Sequence, residues 1–213
     1  PGVLNLPTDR PRERGASGQG KGGYTSRPIG KGIATALERL GRERGVTQTT
    51  LHLAGFTTLL HRLSGDEDVS VGIDAQSRAA PELERVSGMF LNLLVLRMQP
   101  HGDQAFNELL THVRDVALGA YSHQDAPFER IVEAVNPSRT LNRTPLFQAA
   151  FDYQPFSSLE EASRFRVYQV KATRSALMGE IYLRIRAERE GLIAQLIYDE
   201  TLFEASSADR LLE

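Results

Sequence analysis

The sequence predicts a mixed α/β lobe with a largely central sheet, and three observations predict it. Apolar residues recur at i, i+3, i+4 and i+7 in some segments and alternate at period two in others. The two kinds of segment are interleaved without a regular βαβ repeat. The 213 residues are 40% hydrophobic and 24% charged, enough apolar material for one sizeable core.

Residues 1 to 28 read as an arm, because four prolines (Pro1, Pro7, Pro11, Pro28) and a Gly/Ser-rich stretch from Gly15 to Gly23 oppose regular structure. Arg10, Arg12 and Arg14 form a short basic cluster within it. From Gly30 the spacing of Ile33, Ala36, Leu37 and Leu40 predicts a helix that ends at Gly41 and Gly45. Thr47 is the predicted N-cap of a second helix running to about Leu63, whose apolar residues cover most of its circumference. Ser64-Gly65-Asp66 is a turn, and Val69, Val71 and Ile73 alternate along a strand from Asp68 to Asp74. The near-continuous apolar run from Phe90 to Met98 predicts an interior strand buried on both faces. Asp103 is the expected cap of a long helix through about Tyr121, with Phe106, Leu109, Leu110, Val113 and Val116 inward. Pro127 then opens a short helix with Phe128, Ile131, Val132 and Val135 inward. Strands are predicted over Leu146–Tyr153, Phe165–Lys171, Ile181–Ala187 and Leu192–Tyr198, the last two joined by a hairpin loop over Glu188–Gly191, and a closing helix from about Phe203.

Composition narrows the function. A formal net charge of −2 supplies no global basic field for nucleic acid or an anionic membrane. The lack of cysteine rules out disulfides, thiolate metal sites and cysteine nucleophiles, and it fits a reducing cytoplasm. Apolar runs such as Leu93–Leu96 are far too short to span a membrane, and no signal-peptide pattern opens the chain. A start at Pro1 and a stop inside a helix-like Ala208–Leu212 predict a longer natural protein.

No self-contained catalytic constellation emerges. His123-Gln124-Asp125 holds a histidine and an acid, but there is no Gly-x-Ser-x-Gly elbow, so the pair is expected to bond backbone where the long helix meets Pro127. His112 and His123 share a helix face but lie roughly 16 Å apart along the axis, too far to share a metal. The glycines of Gly15–Gly23 and Gly30-Lys31-Gly32 lack the pattern of a phosphate loop.

Five segments, in order along the chain, carry a family resemblance. They are PGVLNLPTDRP (1–11), SGDEDVSVGIDAQSR (64–78), VSGMFLNLLVLR (86–97), SHQDAPFE (122–129) and RTLNRTPLFQAAF (139–151). Together they resemble the C-terminal lobe of the condensation domains of non-ribosomal peptide synthetases. Leu93 stands where that family usually has Thr, Thr144 where Asn is common, and Glu180 where a Phe-Asp-Leu element is expected to place its acid. The family's His-His-x-x-x-Asp-Gly motif belongs to the other lobe and does not occur in this sequence.

The resemblance implies a chloramphenicol-acetyltransferase-like lobe with a mixed central sheet and helices packed on it, residues 1–28 joining the lobes and 29–213 forming the C-terminal lobe. It implies amide formation between carrier-tethered donor and acceptor groups, with no catalytic residue in this chain and no activity for the fragment alone. Gly88, Phe90, Asn92 and Arg97 are the expected channel wall. Arg78, His123, Asp125, Arg143 and Glu180 are the expected structural or lobe-interface residues. No metal and no directly bound cofactor is implied, only the phosphopantetheine arms of partner carrier domains. The implied partners are the N-terminal lobe, the upstream and downstream peptidyl carrier domains and an adjacent adenylation domain. Two alternatives stay open: a non-catalytic relative that recruits a partner protein, and an epimerisation or heterocyclisation variant.

Overall fold

The structure is a computed structural model that describes residues 2–12, 22–76, 81–88, 90–137, 143–156, 177–189 and 191–213. Arg78, residues 139–142 of the last motif and the strand expected over Phe165–Lys171 lie outside the described residues. Among the described residues, six strands form one mixed sheet: β1 (Gly22–Ile29), β2 (Val69–Gln76), β3 (Leu91–Met98), β4 (Ala149–Gln154), β5 (Ile181–Glu188) and β6 (Gly191–Asp199), in the order β1-β6-β5-β4-β2-β3. Strands β2, β4 and β5 run parallel, and β3 and β6 run against them. Among the described residues, five α-helices accompany the sheet: α1 (Lys31–Arg44), α2 (Gln48–Ser64), α3 (Phe106–Ser122), α4 (Phe128–Val135) and α5 (Ala205–Leu211), with a short 3-10 helix at Pro81–Arg85.

The main core lies between α2, α3 and one sheet face. Leu51, Leu53, Phe56 and Leu60 of α2, and Leu110 and Val113 of α3, pack on Val71, Ile73, Leu96, Phe151, Ile181 and Leu196. Thr47 caps α2, its side chain accepting a hydrogen bond from Thr50 N (3.1 Å), and Gly65 ends that helix with a left-handed φ of 76°. The opposite sheet face carries a smaller cluster of Phe147, Ala150, Tyr182 and Ile197, against which Leu93, Val95 and Phe128 pack. A side chain at Gly72 would strike the Phe147 ring, so the bare backbone there lets that ring lie flat on β2.

Several expectations are corrected. Residues 1 to 28 are not merely an arm: Leu4 and Leu6 are core residues, 1% and 3% exposed, and β1 pairs along its whole length with β6. Pro28 fits β1 because an edge strand tolerates a missing donor. Helix α1 runs on through Gly41, which is buried beside Gln48, and stops at Gly45; its inward face is Ala34, Leu37 and Leu40, and Ile33 is exposed. Strand β3 is an edge strand, not an interior one. Its apolar run reflects cover by α3 on one face and by the small cluster on the other, while Leu91 at its start is 56% exposed. Asp103 does not cap α3. The chain turns at Gly102 and Asp103, Gln104 N donating to His101 O (3.1 Å), and Ala105 is the N-cap. Strand β4 starts only at Ala149, because Leu146 adopts a φ of 72° and interrupts the extended run. Val135 of α4 is exposed, and no α4 residue is fully buried.

Candidate functional site at the carboxyl ends of the parallel strands

Registers fix which residues meet at each end of the sheet. At the carboxyl ends of β2, β4 and β5, Ala75 lies opposite Asn92, Asp74 opposite Leu93, and Asp152 opposite Arg184. At the amino ends, Val69 lies opposite Met98 and Ser70 opposite Arg97, with Glu180 just before β5. Mixed α/β sheets present ligand-binding loops beyond the carboxyl ends of their parallel strands, and the residues gathered there are the candidate site.

Asn92 stands at the centre of it. Its Nδ2 donates to the carbonyls of Gln124 (2.7 Å) and Ala126 (2.8 Å), and its Oδ1 accepts from the backbone N–H of Leu93 (2.9 Å) and Phe128 (3.3 Å). The α3–α4 connection passes here from the helix-covered side of the sheet, where α3 packs, to the other side, where Phe128 meets Phe147 edge to face at 6.1 Å. One amide side chain therefore holds the crossing point around the sheet edge. The same residue relieves a conflict in the sequence, because an unsatisfied polar group in this strand would cost about 1–3 kcal/mol.

His123 caps α3, and its ring is oriented by the helix end. Nδ1 lies 2.9 Å from Gly119 O, and Ser122 Oγ donates to the same carbonyl at 2.7 Å. A carbonyl can only accept, so Nδ1 carries the hydrogen and Nε2 is the unprotonated nitrogen of the neutral ring. The side chain is exposed. Asp125 is exposed in the same turn. Phe90 is half-buried before β3, and its ring fills the space that a side chain at Gly88 would need.

Across the sheet, Arg184 pairs with Asp152 (3.2 Å), donates to the Tyr182 hydroxyl (3.1 Å) and lies over the Tyr182 ring. Partial loss of water and the Asp152 carboxylate push the Asp74 carboxyl above its ordinary value, against the pull of Arg184. On the helix side, His52 stacks on Tyr153 with ring centroids 5.4 Å apart. Burial lowers its pKa to about 4, and its Nε2 has no hydrogen-bond partner among the described residues. The sequence reading missed this carboxylate pair and this histidine; only alternation along β2 and β4 could have placed Asp74 and Asp152 on one face.

Arg97 does not join Gly88, Phe90 and Asn92. Five residues along a strand is about 17 Å, and Arg97 sits at the other end of β3. There it grips Asp68 through Nε (2.7 Å) and Nη2 (2.8 Å), the two groups drawing each other's pKa apart. Arg143 and Glu180 do meet, at 3.3 Å, also at the amino ends. Arg12, read only as part of a basic cluster, supplies the second arm. Its guanidinium holds Glu180 in a bidentate pair (2.9 and 2.7 Å) and is itself held above its ordinary pKa by that carboxylate.

Among the described residues no helix is long and apolar enough to cross a membrane, and no group of three or more His, Asp or Glu residues is placed to hold a metal. A family model described as "Condensation domain" matches residues 2–213. Bacitracin synthase 1 from Bacillus licheniformis is 34% identical over 216 aligned positions, which take in 99% of this chain and 4% of that protein. Solved structures share the fold, two among them with TM-scores of 0.89 and 0.83. One is a four-domain nonribosomal peptide synthetase, holo-AB3403, bound to AMP and glycine (TM-score 0.89, 24% identity, 99% of this chain and 17% of that one). The other is the condensation domain from the Monacolin K polyketide synthase MokA (TM-score 0.83, 23% identity, 99% of this chain and 50% of that one). The chain thus spans half of that condensation domain and a small share of the multidomain relatives.

Proposed function

The chain belongs to the condensation-domain family, and on that basis we propose that it supplies the C-terminal half of a peptide-bond-forming condensation domain in a non-ribosomal peptide synthetase. In that reaction the α-amine of an acceptor aminoacyl group attacks the carbonyl of a donor thioester. A C–N bond forms, the C–S bond breaks, and the donor's thiol leaves with the proton that the amine gives up. Both groups ride on phosphopantetheine arms of carrier domains, which are substrate-bearing partners of this chain.

The observation that carries the reading is the adjacency of two motif segments at one end of the sheet, Gly88–Asn92 and His123–Phe128, joined through Asn92. Gly88, Phe90 and Asn92 form part of a channel wall, and the chain's contribution is positioning, which can be worth several kcal/mol. Arg143 and Glu180 brace the amino ends, and residues 1–28 lead in from the other lobe. The partners are that lobe, the flanking carrier domains and an adenylation domain, in the cytoplasm.

The test is reconstitution. The full two-lobed domain mixed with loaded donor and acceptor carrier domains is expected to yield the dipeptide, and the 213-residue chain alone none above the uncatalysed rate. Turnover by this chain alone, or none by the full domain, overturns the reading.

A further inference from the structure

We propose that Asn92 is a positioning residue that clamps the α3–α4 turn so that His123 presents its Nε2 to an N–H group of the tethered substrate. The inference rests on the reading of the chain as half of a condensation domain, and it adds a substrate-contacting side chain and the device that aims it.

Two independent sets of bonds carry it. The first is the fourfold use of Asn92: both amide hydrogens go to the carbonyls of Gln124 and Ala126, and the amide oxygen takes the N–H of Leu93 and of Phe128. Three of these bonds link residues 32 to 36 apart in sequence and fix the turn immediately after His123. Holding β3 to its neighbours does not require them, since the β2–β3 ladder already runs from Val69–Met98 to Gln76–Leu91. The second set orients the imidazole itself. Nδ1 lies 2.9 Å from both Gly119 O and Ser122 Oγ, so in the neutral ring Nδ1 carries the hydrogen and the exposed Nε2 is the acceptor. The cap uses Nδ1 alone, and among the hydrogen bonds of the described residues none uses Nε2, which is therefore left for a partner outside the chain.

The surroundings suit a tethered acyl or aminoacyl group. Leu91, next to Asn92, and Tyr121, two residues before His123, are large side chains left exposed where Asn92 holds the turn. A polar acceptor among exposed apolar side chains is the arrangement by which pockets orient a mainly apolar ligand. The amide and amine N–H groups of such a substrate are donors that an unprotonated imidazole nitrogen accepts.

The experiment uses the full two-lobed domain with loaded carrier domains, and reads hydrogen exchange alongside steady-state kinetics. Asn92→Ala is expected to speed amide exchange at Leu93 and Phe128 at least tenfold and to lower kcat about tenfold, with KM for the carrier domains unchanged. His123→Ala is expected to leave those amides unchanged, to lower Tm only slightly through the lost Gly119 contact, and to lower kcat by a similar factor. The double variant is expected to be no slower than the slower single one, because both changes remove one contact. Unchanged exchange in Asn92→Ala overturns the clamp. Unchanged kcat per folded molecule in His123→Ala, or fully additive losses, overturns the aiming of His123. If Asn92→Ala fails to fold, the exposed His123→Ala variant decides alone. A wild-type domain that forms no peptide bond defeats the functional reading itself, and exchange at Leu93 and Phe128 still reports the clamp.

Discussion

At the amino ends of the parallel strands, charges meet opposite charges and backbone meets side chain. The segment from Gly2 to Arg12 crosses this end like a belt. Gly2 N donates to Asp68, Leu4 N to Gln148 Oε1, Asn5 N to Asp66, Asp9 N to Leu202 O, and Arg12 closes on Glu180. Glu180 is 5% exposed and faces two arginines, and its own N–H donates to Gln148 O at 2.6 Å. Gly179 makes this turn possible. It has a φ of 93°, and any side chain there would overlap the Gln148 carbonyl. At the carboxyl ends the pairing is incomplete. Asp74 and Asp152 share one arginine, His52 buries a nitrogen without a partner among the described residues, and His123 offers one to solvent. The contrast is one of charge rather than of every polar group, because at the amino ends the buried Ser70 Oγ also lacks a partner among the described residues, whereas the charged groups there are matched.

The sharpest way to break the comparison is to damage the closed end. Glu180→Ala leaves Arg12 and Arg143 facing each other without their carboxylate. Removing one partner of a buried charge cluster costs about 3–5 kcal/mol, so the urea midpoint is expected to fall steeply at an unchanged m-value. A loss no larger than that of an exposed pair would mean that the belt is dispensable.

The second test uses pH on the open end. The pKa of His52 is lowered to about 4 from 6.5. A base depressed on folding leaves the unfolded chain holding more protons between these values. The stabilisation that depends on neutral His52 is therefore complete above pH 6.5 and lost progressively as pH falls toward 4, by up to about 3 kcal/mol. His52→Phe keeps a ring on Tyr153 and removes the titration. Its unfolding free energy is expected to fall less over that interval, and an identical fall in both proteins would assign the acid sensitivity elsewhere.

The sequence made the closed parts of the fold easier to read than the relations between them. Thr47 announced the start of α2, and the alternation of Val69, Val71 and Ile73 announced β2, because caps and periodicity are local. The hairpin of β5 and β6 was legible for the same reason, although Glu188 and Gly191, read as part of the loop, pair as the last rung of the ladder. Strand β1 was not legible: its Gly- and Pro-containing sequence has little intrinsic preference and becomes a strand only by pairing with β6. The Arg12–Glu180 pair spans 168 residues, and no local signal couples them. Asn92 stood out as a polar residue in an apolar run, but its partners are backbone groups, which any residue supplies and no sequence marks. Arg97 was grouped with it because both belong to the family motif over residues 86–97, and strand rise then carried them to opposite ends of the sheet.

The smallest expected effect tests the open end most directly. Asp74 lies beside Asp152, whose carboxylate is already engaged by Arg184, and that guanidinium also serves the Tyr182 hydroxyl. The Asp74 carboxyl is raised above the ordinary value, first by partial loss of water and then by Asp152. A carboxyl raised on folding contributes stability that is fully present below its unfolded pKa of 3.8 and is lost as pH rises through the folded value. At neutral pH the ionised Asp74 therefore weakens the fold, and Asp74→Asn removes the like-charge contact while keeping the shape. Since Asp74 is exposed, the gain is modest: a Tm rise of about 1–2 °C at pH 7, shrinking toward zero as the pH approaches the unfolded value. A lower Tm at pH 7 would mean that Arg184 needs both carboxylates, and the charges at the carboxyl ends would then be as fully matched as those at the amino ends. A higher Tm, joined to slower peptide formation by the same variant in the full domain, would identify the surplus charge as one kept for the substrate side of the sheet rather than for the fold.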